Sequence, residues 1–288
     1  MSTSIEEVEK RVEALAATPA GSTLPKDARA LVESLLDALE SGSIRAAEKD
    51  SAGEWRAVPW VKRGILLGFR VGVIVDMSIP SASDRVGFSF LDKDTYPPRR
   101  FTSADGVRIV PGGSSIRRGA YVSSGVVCMP PMYVNVGAHI GTGTMIDSHA
   151  LVGSCAQVGE RVHLSAAAQL GGVLEPVNAA PVVVEDDVVV GGNCGIYEGT
   201  VVRRRAVIGA GVVLTRGTPV YDLERETVHR AEKGKALVIP ENAVVVPGAR
   251  QAKGNWAQEQ GISVQTPVIV KYRDEKTDAA TALESWLR

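Results

Sequence analysis

The chain has few cysteines, few aromatic residues and almost no net charge. Its 288 residues include three cysteines and 5% aromatic residues, and 32 basic against 33 acidic residues leave a net charge of −1. Three scattered cysteines are too few for a disulfide framework or a cysteine-rich zinc site. The balanced charge provides no electrostatic footprint for nucleic acid or for an anionic membrane. The sequence therefore predicts a reduced, cytoplasmic protein with neither of those partners.

Long apolar runs are also missing. No segment approaches the roughly 20 uninterrupted apolar residues that span a bilayer. Residues 1–7 are acidic and lack the basic start and apolar stretch of a signal peptide. Glycine, in contrast, is abundant at 30 residues. With so few aromatics, we expect a core of aliphatic side chains and a backbone with many tight corners.

An apolar residue recurs every six positions through the middle of the chain. The first series comprises Val110, Ile116, Val122, Cys128, Val134, Ile140, Ile146, Val152, Val158, Leu164 and Leu170. After a break at 171–178, the second series is two residues out of phase and comprises Val184, Val190, Ile196, Val202, Ile208, Leu214 and Val220. A period of six does not fit one face of an α-helix. It fits a solenoid in which each hexad supplies one short strand and one corner, and three hexads close a triangular coil. Residues eighteen apart are then expected to stack in parallel ladders.

The flanks of the repeat have a different pattern. The predicted elements are helices over 5–17, 25–41, 60–69 and 277–287 and strand regions over 236–246 and 262–272, with a turn at Pro247-Gly248. We therefore predict three domains: a helical or α+β domain over 1–105, the coil over 106–235, and strands with a helix over 236–288.

Several short strings carry a more specific signal. They are Gly143–Asp147 (GTMID), Val152–Gly159 (VGSCAQVG), Val162–Ser165 (VHLS), Gly171–Pro176 (GGVLEP), Arg45–Lys49 (RAAEK), Leu66–Arg70 (LLGFR) and Val268–Lys271 (VIVK). By their number and their order along the chain, these strings resemble those of the tetrahydrodipicolinate N-succinyltransferases, a family of hexapeptide-repeat acyltransferases. The resemblance implies a left-handed parallel β-helix, although other parallel crossovers are nearly always right-handed. It also implies a homotrimer whose active sites lie between adjacent subunits.

The resemblance implies a reaction as well. Succinyl-CoA, a co-substrate rather than a bound cofactor, would acylate the amine of opened tetrahydrodipicolinate (2-amino-6-oxopimelate) in the lysine and diaminopimelate pathway. Such an enzyme must bind a dicarboxylate, deprotonate an amine, stabilise an oxyanion and align two substrates. One alternative is an acetyl-CoA-dependent N-acetyltransferase for the same or a related amino-acid acceptor, because donor choice rests on a few contacts with one extra carboxylate. A non-catalytic scaffold is another.

Two residues are the leading site candidates. Asp147 stands at a corner position where six other hexads carry glycine, and the matching family residue contacts the amino acceptor. The alternative reading is an aspartate that caps its own turn. Arg108 matches a family arginine that binds a substrate carboxylate, a task that suits the guanidinium fork. Its alternative is a surface or interdomain ion pair.

The second catalytic acid is less clear. Family members often read SEVVEG, and the first glutamate of that string takes part in acyl transfer. Here the string reads CGIYEG, so that Glu198 aligns with the second glutamate and Gly195 stands where the first would be. Asp147 is followed by Ser148-His149 instead of Thr-Trp. We predict catalytic roles for Asp147 and Glu198. Two alternatives stay open: His149 replaces the missing glutamate, or the enzyme acts on a different acceptor.

The remaining site predictions concern CoA and metals. The candidate CoA contacts are Ser165, Gly171, Gly172, Gly191 and Gly192 at the corners, and Lys271 and Arg273 for the phosphates. The alternative for Lys271 and Arg273 is that they are solvated surface charges, which is the commoner role of charged residues near a terminus. Three histidines of the repeat, His139, His149 and His163, lie at different angular positions on eighteen-residue coils, so no metal site is predicted. Cys155 and Cys194 occupy positions that take small packing residues.

Overall fold

The computed structural model of the protein describes residues 4–78, 89–232 and 234–276. Its N-terminal part contains α1 (Ile5–Ala16), α2 (Ala28–Glu40) and α3 (Pro59–Val71), with two antiparallel pairs, β1 (Ala47–Lys49) with β2 (Trp55–Ala57) and β3 (Ile74–Asp76) with β4 (Leu91–Lys93). The predicted helices over 5–17, 25–41 and 60–69 are confirmed, with α2 beginning three residues after Pro25. The helix predicted over 277–287 lies outside the described residues. Ser4 caps α1 by accepting a hydrogen bond from the Glu7 N–H at 3.2 Å.

The three helices pack against one another, each through one apolar face. Leu31, Leu35, Leu36 and Leu39 of α2 are buried, as the spacing predicts. They join residues of α1 and α3 in a core that also takes in Val136 and Cys155 of the coil. The helical part is therefore fastened to the repeat by shared apolar packing.

Short two-residue strands follow one another through the repeat. In chain order they are β5 (Arg108–Ile109), β6 (Ser115–Ile116), β7 (Tyr121–Val122), β8 (Val127–Cys128), β9 (Tyr133–Val134), β10 (His139–Ile140), β11 (Met145–Ile146), β12 (Leu151–Val152), β13 (Gln157–Val158), β14 (His163–Leu164), β15 (Gln169–Leu170), β16 (Val183–Val184), β17 (Val189–Val190), β18 (Gly195–Ile196), β19 (Val201–Val202), β20 (Val207–Ile208) and β21 (Val213–Leu214). The C-terminal strands are β22 (Val220–Asp222), β23 (Thr227–His229), β24 (Val238–Ile239), β25 (Ala243–Gln251) and β26 (Ser263–Tyr272), with α4 (Asn255–Glu259) between the last two.

These strands form the three faces of a triangular coil. Face 1 contains β5, β8, β11, β14, β17 and β20, face 2 contains β6, β9, β12, β15, β18 and β21, and face 3 contains β7, β10, β13, β16, β19 and β24. Neighbouring rungs pair in parallel, and in the uninterrupted repeat they are eighteen residues apart, as Met145 is from His163. The spacing grows to 26 residues across the loop that follows β15, as between His163 and Val189. We call the corners that join the faces edge 1–2, edge 2–3 and edge 3–1. The predicted coil of three hexads is confirmed.

Each rung points one residue inward and one outward. The second residue of each strand from β6 to β21 belongs to a single buried core, in which Ile146, Leu164 and Ile196 are fully buried. The first residue faces outward, so side chains such as His163 lie on the outer surface of a face. This alternation follows from the two-residue period of a β-strand, and it makes the outer surface available for chemistry.

Three details of the repeat differ from the sequence prediction. The first inward residue is Ile109 rather than Val110, because Ile109 pairs with Cys128. Val220 is buried in the core of the coil, but its strand β22 pairs with β23 and β26, and Ile239 supplies the next rung of face 3 instead. The predicted turn at Pro247-Gly248 is wrong: both residues lie inside β25 and are paired with β26.

The phase break after Leu170 is a loop at edge 2–3 between β15 and β16. Lys62 of α3 is fully buried and donates a hydrogen bond from Nζ to the Ala179 carbonyl at 2.5 Å. Burial lowers the pKa of this ammonium. The Val173 N–H also donates to the Ser154 carbonyl at 3.1 Å. The loop is thus tied both to the helical part and to the coil. In the described ranges, no helix is long and apolar enough to cross a membrane.

Candidate active site

Asp147 and His163 lie side by side at edge 1–2. Asp147 directly follows β11, and Oδ1 accepts a hydrogen bond from the Ser148 N–H at 2.7 Å. Its Oδ2 lies 3.6 Å from Nε2 of His163, an outward-facing residue of β14. The aspartate side chain is 32% exposed and the histidine side chain 17%. The result is a carboxylate that is accessible to a substrate and backed by a largely covered imidazole.

Sequence reasoning did not identify His163 as the neighbour of Asp147. The signal was nevertheless present, because Met145 and His163 are eighteen residues apart and therefore stack. Asp147 is two residues beyond Met145, at the adjacent corner. An eighteen-residue coil period places the imidazole beside that corner.

Arg108 lies on the same face as this pair. It is an exposed residue of β5, and the ladder runs from Arg108 through Val127 and Met145 to His163. Two rungs separate Arg108 from Met145, which corresponds to about 9–10 Å at the usual strand spacing. The structure therefore brings Arg108, Asp147 and His163 to one side of the coil.

Ser165, Gly191 and Gly192 occupy the same edge as Asp147. Their corners are the next two along edge 1–2, since the Asp147 N–H donates to the Leu164 carbonyl and the Ser165 N–H to the Val190 carbonyl, each at 2.9 Å. A Cβ atom at Gly191 would lie 2.5 Å from the Ala210 nitrogen, so glycine allows the corners to stack closely there. These three predicted CoA contacts line one continuous track of backbone that starts beside Asp147.

Glu198, Gly171 and Gly172 lie on a different edge. All three belong to edge 2–3, where the Gly171 N–H donates to the Ile196 carbonyl at 2.8 Å. Glu198 is exposed, has a φ of 52°, and accepts a hydrogen bond on Oε2 from the Arg216 N–H at 2.9 Å. Within one chain, the structure does not bring Glu198 together with Asp147.

The ring of Tyr197 covers the outer surface of Gly195. A Cβ atom at Gly195 would lie 2.4 Å from Cε2 and 2.8 Å from the hydroxyl oxygen of Tyr197. A Cβ atom at Gly171 would lie 2.7 Å from Cδ1 of the same ring. The space that a glutamate side chain at position 195 would need is therefore filled by a phenol. Sequence reasoning missed Tyr197, whose only signal was a large polar side chain two residues after an outward-facing glycine.

Lys271 and Arg273 lie on the C-terminal strand pair. The Lys271 Nζ is 3.2 Å from both carboxylate oxygens of Asp274. β26 pairs with β25, which continues face 1 beyond β20, so Lys271 is four strands along the sheet from His163. Arg273 donates to the carbonyls of Asp187 and Arg205 at 2.9 and 3.3 Å, on edge 3–1. Arg273 thus fastens the C-terminal extension to the coil.

The histidines and cysteines of the coil are dispersed. His139 lies on face 3 and His163 on face 1, as their spacing predicts. Among the described residues, no group of three or more His, Cys, Asp and Glu side chains is placed to hold a metal ion. Burial raises the pKa of the Cys128 and Cys155 thiols to about 12, which keeps both protonated at neutral pH.

The fold and the paired side chains define a class of protein. A triangular coil of hexapeptide repeats, with a carboxylate presented at one edge and a track of backbone beside it, matches the hexapeptide-repeat acyltransferases, which are left-handed parallel β-helices. Residues 4–71 match the family described as tetrahydrodipicolinate N-succinyltransferase N-terminal, and residues 181–216 match the hexapeptide repeat of succinyl-transferase. The chain belongs to the tetrahydrodipicolinate N-succinyltransferase family.

Near-full-length relatives support this membership. A 2,3,4,5-tetrahydropyridine-2,6-dicarboxylate N-succinyltransferase from Polynucleobacter asymbioticus is 38% identical over 269 residues, covering 92% of this chain and 91% of the relative. The enzyme of the same name from Nitrobacter hamburgensis is 39% identical over 269 residues, with 91% and 90% covered. That from Xylella fastidiosa is 40% identical over 262 residues, with 90% and 88% covered.

Proposed function

We propose that this chain transfers the succinyl group of succinyl-CoA to the amine of ring-opened tetrahydrodipicolinate, in the lysine and diaminopimelate pathway. The observation that carries the proposal is the identity of 38–40% over about nine tenths of relatives that bear this activity in their names. The arrangement of Arg108 and Asp147 on one side of the coil supports it, because the acceptor has carboxylates to bind and an amine to deprotonate.

The chemistry assigns a role to each of these residues. Arg108 binds a carboxylate of the acceptor with its guanidinium fork. Asp147 orients the acceptor nitrogen and takes its proton as the nitrogen attacks the thioester carbonyl. The C–N bond forms, the C–S bond breaks, and the CoA thiolate leaves and takes up a proton. Neither a metal nor a resident cofactor is needed for these steps.

The second group that assists acyl transfer is proposed to come from a neighbouring subunit. Asp147 lies on edge 1–2 and Glu198 on edge 2–3, so a homotrimer with sites between coils is the arrangement that would bring the two edges together. Glu198 remains our candidate acid. The Tyr197 hydroxyl, on the same edge, is a second donor that would stabilise the thioester-derived oxyanion.

CoA is proposed to follow the sheet away from Asp147. Ser165, Gly191 and Gly192 offer backbone groups along edge 1–2, and Gly171 and Gly172 do so on the edge that faces it across the proposed interface. Lys271 is four strands from His163, about 19 Å at the usual strand spacing. That separation suits a long pantetheine arm with its phosphates at the far end.

Substitution of His163 tests how Asp147 is positioned. We expect His163→Leu to lower kcat about tenfold while the KM for succinyl-CoA stays unchanged, because the aspartate loses its polar neighbour but the CoA track remains. His163→Gln keeps a polar group at similar reach and should restore kcat to within about threefold of the wild-type value. A purely structural role would instead lower kcat and the melting temperature of both variants together.

The donor is tested by initial-rate CoA release with tetrahydrodipicolinate as acceptor. We expect succinyl-CoA to be preferred over acetyl-CoA by at least about tenfold in kcat/KM, the scale that a few contacts with one carboxylate provide. Activity with acetyl-CoA alone would leave the proposed acceptor unchanged and would identify acetyl-CoA as the donor. Absence of release with either donor would favour a different acceptor or a non-catalytic scaffold.

A further inference from the structure

A cavity separate from the candidate active site lies between the β1–β2 hairpin and the outer surface of face 3. Its volume is about 530 Å³, and its lining includes Arg45, Glu48, Trp55, Tyr121, His139 and Asp186. This volume is in the range of small-molecule sites in proteins. The lining contains none of Arg108, Asp147 and Glu198, so within one chain the cavity is separate from the candidate active-site residues.

Arg45 is the strongest binding group in this cavity. Its Nε donates to Gln157 Oε1 at 2.9 Å, and its guanidinium carbon lies 5.4 Å from the centroid of the Trp55 ring. Burial lowers the pKa of the guanidinium, but an arginine stays protonated in proteins. Among the described residues, no acidic side chain forms an ion pair with Arg45. A mostly buried cation without an ion-pair partner favours an anionic ligand, and the guanidinium fork suits a carboxylate.

A stacked ring pair provides an apolar surface in the same cavity. Tyr121 and His139 have ring centroids 4.3 Å apart and planes 19° apart. Burial, together with the nearby Arg45 charge, lowers the pKa of His139 to about 3. The imidazole is therefore neutral at physiological pH and adds no second positive charge. The stack offers a surface for the aliphatic part of a ligand.

Two carboxylates complete the lining. Glu48 and Asp186 are both close enough to Arg45 to act on its charge, and each tends to raise the pKa of the guanidinium. Glu48 is exposed, whereas Asp186 accepts a hydrogen bond from the Glu160 N–H at 2.9 Å. Glu185 is already neutralised by Lys49 and Arg203 at 2.9 and 3.1 Å. Two further charged lining residues are also paired, Glu160 with Arg161 at 2.7 Å and Arg204 with Glu241 at 3.6 Å. Among the described lining residues, Arg45, Glu48 and Asp186 are thus the charged side chains without a salt bridge.

We propose that this cavity binds a small zwitterion of the α-amino-acid class. The ligand carboxylate pairs with Arg45, its ammonium group pairs with Glu48 and Asp186, and its aliphatic side chain lies on the Tyr121–His139 stack. Because such a ligand contacts both the hairpin and the coil, its binding stabilises the folded protein. The proposal is independent of the transferase reaction.

Three probes with the same carbon chain test the charge requirements: norleucine carries both charges, hexanoate only the carboxylate and hexylamine only the ammonium. Binding to the full-length protein is measured by calorimetry and by thermal shift, in the absence of acyl-CoA. We expect norleucine to bind and to raise the melting temperature, with hexanoate weaker by at least about tenfold and hexylamine weaker still. Equal binding of hexanoate and norleucine would overturn the zwitterion assignment, and no binding of any probe up to about 10 mM would overturn the site.

Variants of the lining locate the binding. Glu48→Gln should reduce norleucine affinity to about that of hexanoate, and Arg45→Gln should abolish binding of both. Glu33→Gln, an exposed glutamate of α2 outside the lining, is the matched control and should bind norleucine as the wild type does. Glu48 is exposed, so its variant provides the test even if Arg45→Gln does not fold. Unchanged norleucine affinity in Glu48→Gln would contradict the proposal.

Discussion

Replacing Asp147 with asparagine is expected to reduce turnover by about a hundredfold or more while the protein melts at its usual temperature. Asparagine has the same shape as aspartate and retains an oxygen that accepts the Ser148 N–H. The corner of edge 1–2 therefore keeps its geometry. What is lost is the negative charge that takes a proton from the acceptor amine, and an amide does not replace it.

The measurement is steady-state turnover at saturating succinyl-CoA, accompanied by thermal melting. Glu241→Gln is the matched control, since it removes an exposed carboxylate at a corner of edge 3–1 whose contact with Arg204 is a surface pair 3.6 Å long. The control should keep wild-type turnover. Near-normal turnover in Asp147→Asn would remove Asp147 from the catalytic step, and a matching fall in melting temperature would make it a structural residue.

Replacing Leu164 with alanine is expected to lower the free energy of unfolding strongly. Leu164 is fully buried at the centre of the coil, between the rungs that end in Ile146 and Val190. Truncation removes apolar contacts and leaves a cavity that stacked rungs cannot collapse to fill. A buried leucine-to-alanine change costs about 2–5 kcal/mol of the free energy of unfolding.

The outward position of a rung provides the control. Val213, the first residue of β21, is 43% exposed, so Val213→Ala should cost less than about 1 kcal/mol. Both variants are compared with the wild type by thermal melting at one protein concentration, because the proposed homotrimer would make the melting temperature depend on concentration. Similar shifts for the two variants would contradict the inward and outward assignment of the rungs.

The fold was predictable because the same hexapeptide pattern recurs many times in the sequence. An apolar residue at every sixth position, with glycine often following it, recurs through enough hexads to indicate a triangular coil, and the eighteen-residue pairing of Met145 with His163 confirms it. The prediction of individual rung positions was wrong at the two ends of the repeat. Ile109 instead of Val110 pairs with Cys128, and the strand of Val220 pairs with β23 and β26 instead of a rung of the coil.

The site was only partly predictable. Asp147 was conspicuous in the sequence because a charged side chain stands where the repeat prefers glycine, and Arg108 was found by family resemblance. The contact between Asp147 and His163 depends on which corner is adjacent to which rung. The covering of Gly195 by Tyr197 depends on a side-chain orientation that no spacing specifies. The roles of Glu198, Lys271 and the corner glycines remain predictions, as do the three domain boundaries.

The order of residues alone thus specified the coil, its period and the family, because each of these is a local pattern that does not depend on distant contacts. Contacts between distant segments were decided by the tertiary structure. They include the burial of Lys62 against the 171–182 loop, the placing of Glu198 on a different edge from Asp147, and the cavity between the hairpin and face 3. The physical reason is that such contacts arise only when the helical part and the coil pack together, and their geometry depends on side-chain volumes and burial that a repeat pattern does not encode.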